Sequence, residues 1–308
     1  MDIIDFFGII FTLPAMTTQK NADFISEQVL SAEYYYLNLT PPPKSSRIVV
    51  CGGREQCAPN YCIDRAGFRF YSIEFVSSGK GTLTMHGRTW PLGLGAIFCY
   101  GPDIAHRIDC DPEAPLLKHF IDFTGPDLIK PLQQMLLYKT PLYCAQPFRM
   151  RSIFETLLQT GTSDSRHRDA LCVLLLRQLM LHADEDTLPI KDARSPAWQT
   201  YLRCRVYIEQ HFLELGAIQQ VADQCHLDKA YLCRLFKRYT NETPLQLLTR
   251  LKMHKAADLL SHRNLLIKQA GTAVGYQDPY HFSKAFKRVY GIAPEAFIQA
   301  TSRSHPPS

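Results

Sequence analysis

No stretch of this 308-residue chain is both apolar and long enough to cross a bilayer, so no membrane partner is expected. The apolar stretch 3–15 is too short to span, and Asp2 and Asp5 sit where a secretory leader carries positive charge. Residues 1–46 therefore read as an N-terminal arm, with Pro41-Pro42-Pro43 marking its break from a folded region. The cysteines lack paired spacing as well. Cys51, Cys57 and Cys62 come nearest to a cluster, but C-x5-C-x4-C matches no common zinc arrangement. Reduced, mostly buried thiols of a cytoplasmic protein are expected, with no metal and no other cofactor.

The positive charge is unevenly placed. From residue 197 onward there are 15 Lys+Arg against 8 Asp+Glu, while residues 1–196 hold 19 against 21. A modest local excess of this kind suits steering toward a polyanion without coating it. The basic part also repeats itself. Residues 228–244, DKAYLCRLFKRYTNETP, return in outline as 278–294, DPYHFSKAFKRVYGIAP, with Asp, Phe, Lys, Arg and Pro in register. One supersecondary unit has been used twice.

Each copy has the pattern of a two-faced helix. Asp228 and Asp278 are good N-caps, and Pro279 follows at the first helical position, where its missing N–H costs nothing. Leu232, Leu235, Phe236 and Tyr239 fall on one stripe in the first copy, as do Phe282, Ala285, Phe286 and Val289 in the second. The opposite faces carry Ala230, Cys233, Arg234 and Lys237, then Tyr280, Ser283, Lys284 and Lys287. Asn241 and Gly291 suit left-handed C-caps. A short helix precedes each copy, at 218–225 and 267–274, separated by the few residues of a helix-turn-helix turn. One basic amphipathic helix is as easily a solvated surface helix; two with matching caps, stripes and turns are not.

Residues 200–298 resemble the DNA-binding domain of the AraC/XylS family of bacterial transcription regulators, which carries two helix-turn-helix units. The most specific stretch runs from Val274-Gly275-Tyr276-Gln277-Asp278-Pro279 through Arg288 to Gly291 and Pro294. Two residues depart from the family pattern: His226 stands where a turn glycine is usual, and Gly271 replaces a small helix alanine. The resemblance implies double-stranded DNA as partner. It also implies that Ala230, Cys233 and Arg234, with Tyr280, His281, Ser283 and Lys284, reach base edges. Lys237, Arg238, Lys287 and Arg288 are expected on phosphates.

The N-terminal half has a different pattern, of short strands at 47–51, 70–76, 81–86, 95–100, 106–109 and 116–123 separated by Gly-rich turns. This predicts a small antiparallel barrel or sandwich. Residues 47–125 resemble the cupin-type ligand-binding domain of AraC-family regulators, through Gly79-x-Gly81, Gly87, Trp90, Gly93-x-Gly95, Gly101-Pro102 and His106. Metal-binding cupins use an H-x-H pair, which is absent here; His86 and His106 alone make a weak metal site. Arg54, Tyr71, Trp90 and His106 are the candidate lining of a small-molecule pocket. Only the family analogy points to a sugar, and Trp90 and Tyr71 serve equally well as core.

Helices are expected at 148–160 and 166–183, the second so rich in leucine that part of it suits a homodimer interface. The fold class is thus α+β: residues 47–183 form a cupin-like antiparallel barrel with helices, 184–196 a linker, 197–300 an all-α double helix-turn-helix domain and 301–308 a tail. The implied protein is a sequence-specific regulator controlled by a small-molecule effector, with RNA polymerase as a further partner. Two other readings stay open on the residues: a cupin-type enzyme fused to a DNA-binding module, and an N-terminal half that only dimerises.

Overall fold

The computed structural model describes residues 28–42, 45–193, 195–240, 242–262 and 265–302. Two antiparallel sheets form the N-terminal part. The larger has seven strands in the order β1 (Val29–Tyr36), β2 (Ile48–Cys57), β9 (Leu117–Thr124), β4 (Tyr71–Ser78), β7 (Ala96–Tyr100), β10 (Leu142–Cys144) and β11 (Thr187–Pro189). The smaller has the order β3 (Cys62–Arg65), β8 (His106–Cys110), β5 (Gly81–Met85) and β6 (Arg88–Leu92). His86 and Gly87 make the two-residue turn between β5 and β6, both at positive φ (51° and 69°), the geometry that matches strand twist in tight hairpins.

The central strands of the large sheet are buried on both faces, which explains runs such as AIFCY in β7. Alternate side chains point to opposite sides. Val50, Val76, Phe98 and Phe120 face inward, toward Leu83, Met85 and Ile108 of the small sheet. Ile73, Phe75, Ile97, Ile121 and Phe123 face outward, onto the helices α1 (Pro126–Gln134), α2 (Pro147–Gly161) and α3 (Arg168–Glu185). Fully burying side chains of this size contributes about 1.5–3 kcal/mol each.

All six expected strands are present with shifted ends, and five more accompany them. β1 falls inside the segment read as an arm, paired with β2 from Val29↔Cys57 to Tyr36↔Cys51. β11 and the short α4 (Ile190–Ala193) fall inside the segment read as a linker, where β11 extends the sheet by pairing with β10. Asp184 and Glu185 of the same segment end α3, while residues 1–27, 43, 44 and 194 lie outside the described residues.

The C-terminal part is helical: α5 (Pro196–His211), α6 (Ile218–Gln224), α7 (Lys229–Tyr239), α8 (Pro244–His262), α9 (Ile267–Ala273), α10 (Pro279–Tyr290) and α11 (Pro294–Ser302). Helix α8 belongs to two cores. Leu247 and Leu248 pack with Trp198, Tyr201, Leu232, Phe236 and Tyr239, while Met253, Ala256 and Leu260 pack with Val274, Phe282 and Phe286. One continuous helix thereby fixes the separation of the two helix-turn-helix units.

Candidate nucleic-acid interface and enclosed polar cluster

Both basic helices are capped as their sequences dictate. The Asp228 carboxylate accepts the backbone N–H groups of Ala230 (2.8 Å) and Tyr231 (3.1 Å) at the start of α7. Asp278 accepts that of Tyr280 (2.9 Å) at the start of α10. Each cap contributes about 1 kcal/mol. The C-termini differ. Gly291 closes α10 in the left-handed region at φ 79°, whereas extended Thr240 closes α7. Asn241, the expected counterpart of Gly291, lies outside the described residues.

Leu232, Leu235, Phe236 and Tyr239 are buried, leaving Ala230, Cys233, Arg234, Lys237 and Arg238 together on the exposed face of α7. On α10, Tyr280, His281, Lys284, Lys287 and Arg288 are exposed and Ser283 is half-buried, opposite buried Phe282, Ala285 and Phe286. The Arg234 guanidinium lies 5.7 Å from the Tyr231 ring centre, a cation–π contact that restrains it without using its donors. His281 Nδ1 stands 3.2 Å from Asp278 Oδ2, so this side chain also supports the cap. The basic last turns, Lys237-Arg238 and Lys287-Arg288, complement the helix dipole and keep their charge in solvent.

The candidate pocket residues divide. His106 is buried inside the β unit, stacked on Tyr100 with ring centres 3.8 Å apart. Half-buried Trp90 packs against the same inner core. Arg54 and Tyr71 do not line that interior, which corrects the sequence reading. Arg54 pairs on the helix side with Glu155 of α2 (3.2 Å) and with Glu33 (2.7 Å). Tyr71 lies on the same outer side, against Phe123 and Tyr138. A bulge between Val49 and Cys51 sets which residues of β2 point inward, and spacing alone does not reveal it. His119 holds the network together. One ring nitrogen lies 2.9 Å from Ser77 Oγ and the other 3.0 Å from Glu155 Oε1, pinning α2 to the sheet.

The interior instead carries a charged cluster that the sequence reading missed. The Lys118 ammonium sits 2.8 Å from Glu55 and 3.0 Å from Glu74, all three nearly sealed from solvent. Tyr34 donates to Glu55 (3.0 Å), Tyr100 donates to Glu74, and the Tyr61 and Phe120 rings lie 5.4 and 5.6 Å from the ammonium. Burial alone would lower the Lys118 pKa, yet the two glutamates hold it well above the ordinary lysine value. Burial pushes neighbouring Asp122 up to about 7, against the pull of nearby Ser72 and of the Cys51 thiol, which donates to Asp122 Oδ2 (3.3 Å). Burial likewise lowers the His106 pKa. His106 Nε2 and Asp122 Oδ1 are buried without a hydrogen-bond partner among the described residues. The space remaining within the cluster is about 10 Å³. A signal was present in the sequence: Glu74 stands between Ile73 and Phe75 of β4, and Lys118 and Asp122 stand among the apolar residues of β9.

The two parts of the chain touch through α5. Tyr201 donates to the Ala145 carbonyl (3.1 Å) and accepts from Arg205 (3.1 Å), which pairs with Glu209 (2.9 Å). Beside this contact, a cleft of about 730 Å³ opens between Lys80, Leu92 and Tyr143 on one side and Leu202, Arg203 and Tyr207 on the other.

An enclosed β unit followed by paired helix-turn-helix units on a shared helix defines a two-module, DNA-binding transcription regulator. Comparison with known proteins agrees. An AraC-like ligand binding domain matches residues 50–180 and a helix-turn-helix domain matches residues 221–300. The Msm operon regulatory protein of Streptococcus mutans is 26% identical over 250 residues, covering 80% of this chain and 90% of that one. The MmsAB operon regulatory protein of Pseudomonas aeruginosa is 28% identical over 264 residues, covering 80% and 81%. The raffinose operon transcriptional regulatory protein RafR of Pediococcus pentosaceus is 26% identical over 257 residues, covering 80% and 91%. The chain belongs to the AraC/XylS family.

Proposed function

We propose that the protein is a homodimeric, effector-controlled transcription regulator that acts in the cytoplasm and is not an enzyme. Helices α7 and α10 enter successive major-groove segments on one face of double-stranded DNA, about 34 Å apart. One observation carries this reading: two helices with matching caps and buried stripes present different polar faces from a single connecting helix. Arg234 binds guanine O6 and N7 together, whereas Ala230 and Cys233 offer apolar or weak contacts such as that to a thymine methyl. Tyr280, His281, Ser283 and Lys284 serve the second segment. Lys237, Arg238, Lys287 and Arg288 hold phosphates and set position, and RNA polymerase is the further partner at the promoter. Arg234→Ala is expected to weaken operator binding by about 1–3 kcal/mol and relax base preference at one position. Equal losses on operator and random DNA, measured by titration at fixed salt, would reduce Arg234 to a phosphate contact.

The effector in this reading is a small sugar-type molecule taken into the β unit. Relatives named for the raffinose, lactose and arabinose operons support it. So does an interior that sets carboxylates and an ammonium beside aromatic rings, groups able to bind hydroxyls and stack on a sugar ring. With about 10 Å³ free, the cluster must open to admit a ligand, so the ligand must favour the open arrangement. A thermal-shift screen of mono- and disaccharides on the full chain is expected to find one that raises the melting temperature. A screen without such a hit favours the second reading that the filled interior suggests, an N-terminal half that only dimerises.

A further inference from the structure

Cys57 ends β2 in the large sheet and Cys110 ends β8 in the small one, far apart in sequence and in no motif. The fold brings them to one place. The Cys57 N–H donates to the Leu116 carbonyl (2.8 Å), and the Leu116 N–H points at Cys110 Sγ (3.5 Å). The Cys110 N–H in turn donates to the Tyr61 carbonyl (3.1 Å). Across this corner both cysteines abut Leu116, near enough for each thiol to shift the other's titration. Cys57 is sealed from solvent, while Cys110 is partly open to it.

We infer that Cys57 and Cys110 are a disulfide-forming pair, oxidised by a peroxide, whose bond ties the two sheets together beside the Lys118 cluster. The Cys110 thiolate attacks one peroxide oxygen. The O–O bond breaks and the departing hydroxide takes a proton to become water, leaving Cys110 as a sulfenic acid. The Cys57 sulfur then attacks the Cys110 sulfur. The S–O bond breaks, and the Cys57 proton leaves with the hydroxyl as a second water. Two thiols lose two electrons in all, and the peroxide gains them.

The surroundings assign the two roles. The neighbouring Cys57 thiol draws the Cys110 pKa down to about 7; partial burial opposes the shift, and the Leu116 N–H and Lys118 support it. Cys110 is therefore both the accessible sulfur and the one available as thiolate near neutral pH. Cys57 keeps its proton, with a pKa displaced upward by neighbouring Cys110 and by burial, and waits as the resolving thiol. Cys204 on α5 and Cys225 at the end of α6 are a second neighbouring pair. Both are buried, and burial and Cys225 push the Cys204 thiol up to about 12, so that pair lacks an accessible thiolate.

The test uses the full reduced chain and hydrogen peroxide added in stoichiometric steps. Intact mass under non-reducing conditions should fall by two hydrogens, and digestion should yield one linked peptide pair joining Cys57 to Cys110, released by dithiothreitol. Cys57→Ala should stop at a Cys110 sulfenic acid trapped by dimedone, whereas Cys110→Ser should form neither product. The oxidised wild-type chain should also melt above the reduced one, because the link closes a long loop in a geometry the fold already supplies. Oxidation confined to exposed Cys233, a Cys62–Cys110 link, or a Cys57 still open to alkylation under denaturing conditions would overturn the assignment. So would an oxidised chain that melts lower.

Discussion

Lys118 shows what a single buried charge demands of its surroundings. Taking an ammonium out of water costs several kcal/mol, and only close, well-formed pairing repays it. Glu55 and Glu74 at 2.8 and 3.0 Å supply that pairing, and Tyr34 and Tyr100 occupy the carboxylate oxygens that remain. Asp122 has no such ammonium of its own, and burial favours its neutral acid, with a pKa of about 7 against an ordinary 3.8. The folded chain thus binds this proton more tightly than the unfolded chain. The stability it gives is complete below the unfolded value and is lost as pH rises through 7. Melting temperature is expected to fall between about pH 4 and pH 7, and Asp122→Asn, which never ionises, should flatten that fall. An unchanged slope in the variant would show that Asp122 ionises without cost. The same residues mark where sequence reading stopped. Each charged strand residue was visible as a type, but whether it faces inward, as Lys118 does, or outward, as Arg54 does, depends on register.

Local elements were more legible, because their signals are chemical and nearby. The aspartate caps, the buried stripes and Gly291 at positive φ all follow from a few consecutive residues. β1 and β11 were missed for the opposite reason. Both lie at the edges of the large sheet and carry few buried residues, so their pairing rests on a partner strand elsewhere in the chain. The two helix-turn-helix turns permit a direct comparison. His226 sits at φ 55° where the second unit has Gly275 at φ 82°. A left-handed non-glycine residue costs about 1–2 kcal/mol, and glycine returns about 0.5–1 kcal/mol of that as lost chain entropy. His226→Gly should therefore stabilise the chain by a net of about 0.5–1 kcal/mol in urea denaturation. Gly275→Ala should destabilise it, since a Cβ there would meet Lys252 Nζ at 3.0 Å as well as bearing the strain. A destabilised His226→Gly would mean that the imidazole makes a compensating interaction worth more than the turn strain.

At the scale of the whole molecule, α3 carries the argument for two copies. Its inner face, Cys172, Leu176, Leu179, Met180 and Ala183, is fully used against the large sheet and α2. Its outer face is not: Leu171, Leu174 and Leu181 remain 42%, 61% and 65% exposed. With Gln178 between them they are spaced three, four and three residues apart, the stripe that a second helix packs against in a coiled coil. Leucines so exposed on a solvent-facing helix gain little from the single chain, whereas pairing with the same stripe of a second copy would bury them and satisfy two-fold symmetry. Dimerisation through this face would set the two DNA-binding parts of a regulator at a defined distance, while Tyr201 ties each to its own β unit through the Ala145 carbonyl. Replacing Leu174 and Leu181 together by Glu puts like charges into the seam from both sides. Sedimentation should then show a shift from dimer to monomer at micromolar concentration, with the melting curve largely kept, because both side chains are mostly exposed in the single chain. A double variant that still sediments as a dimer would move the interface off α3.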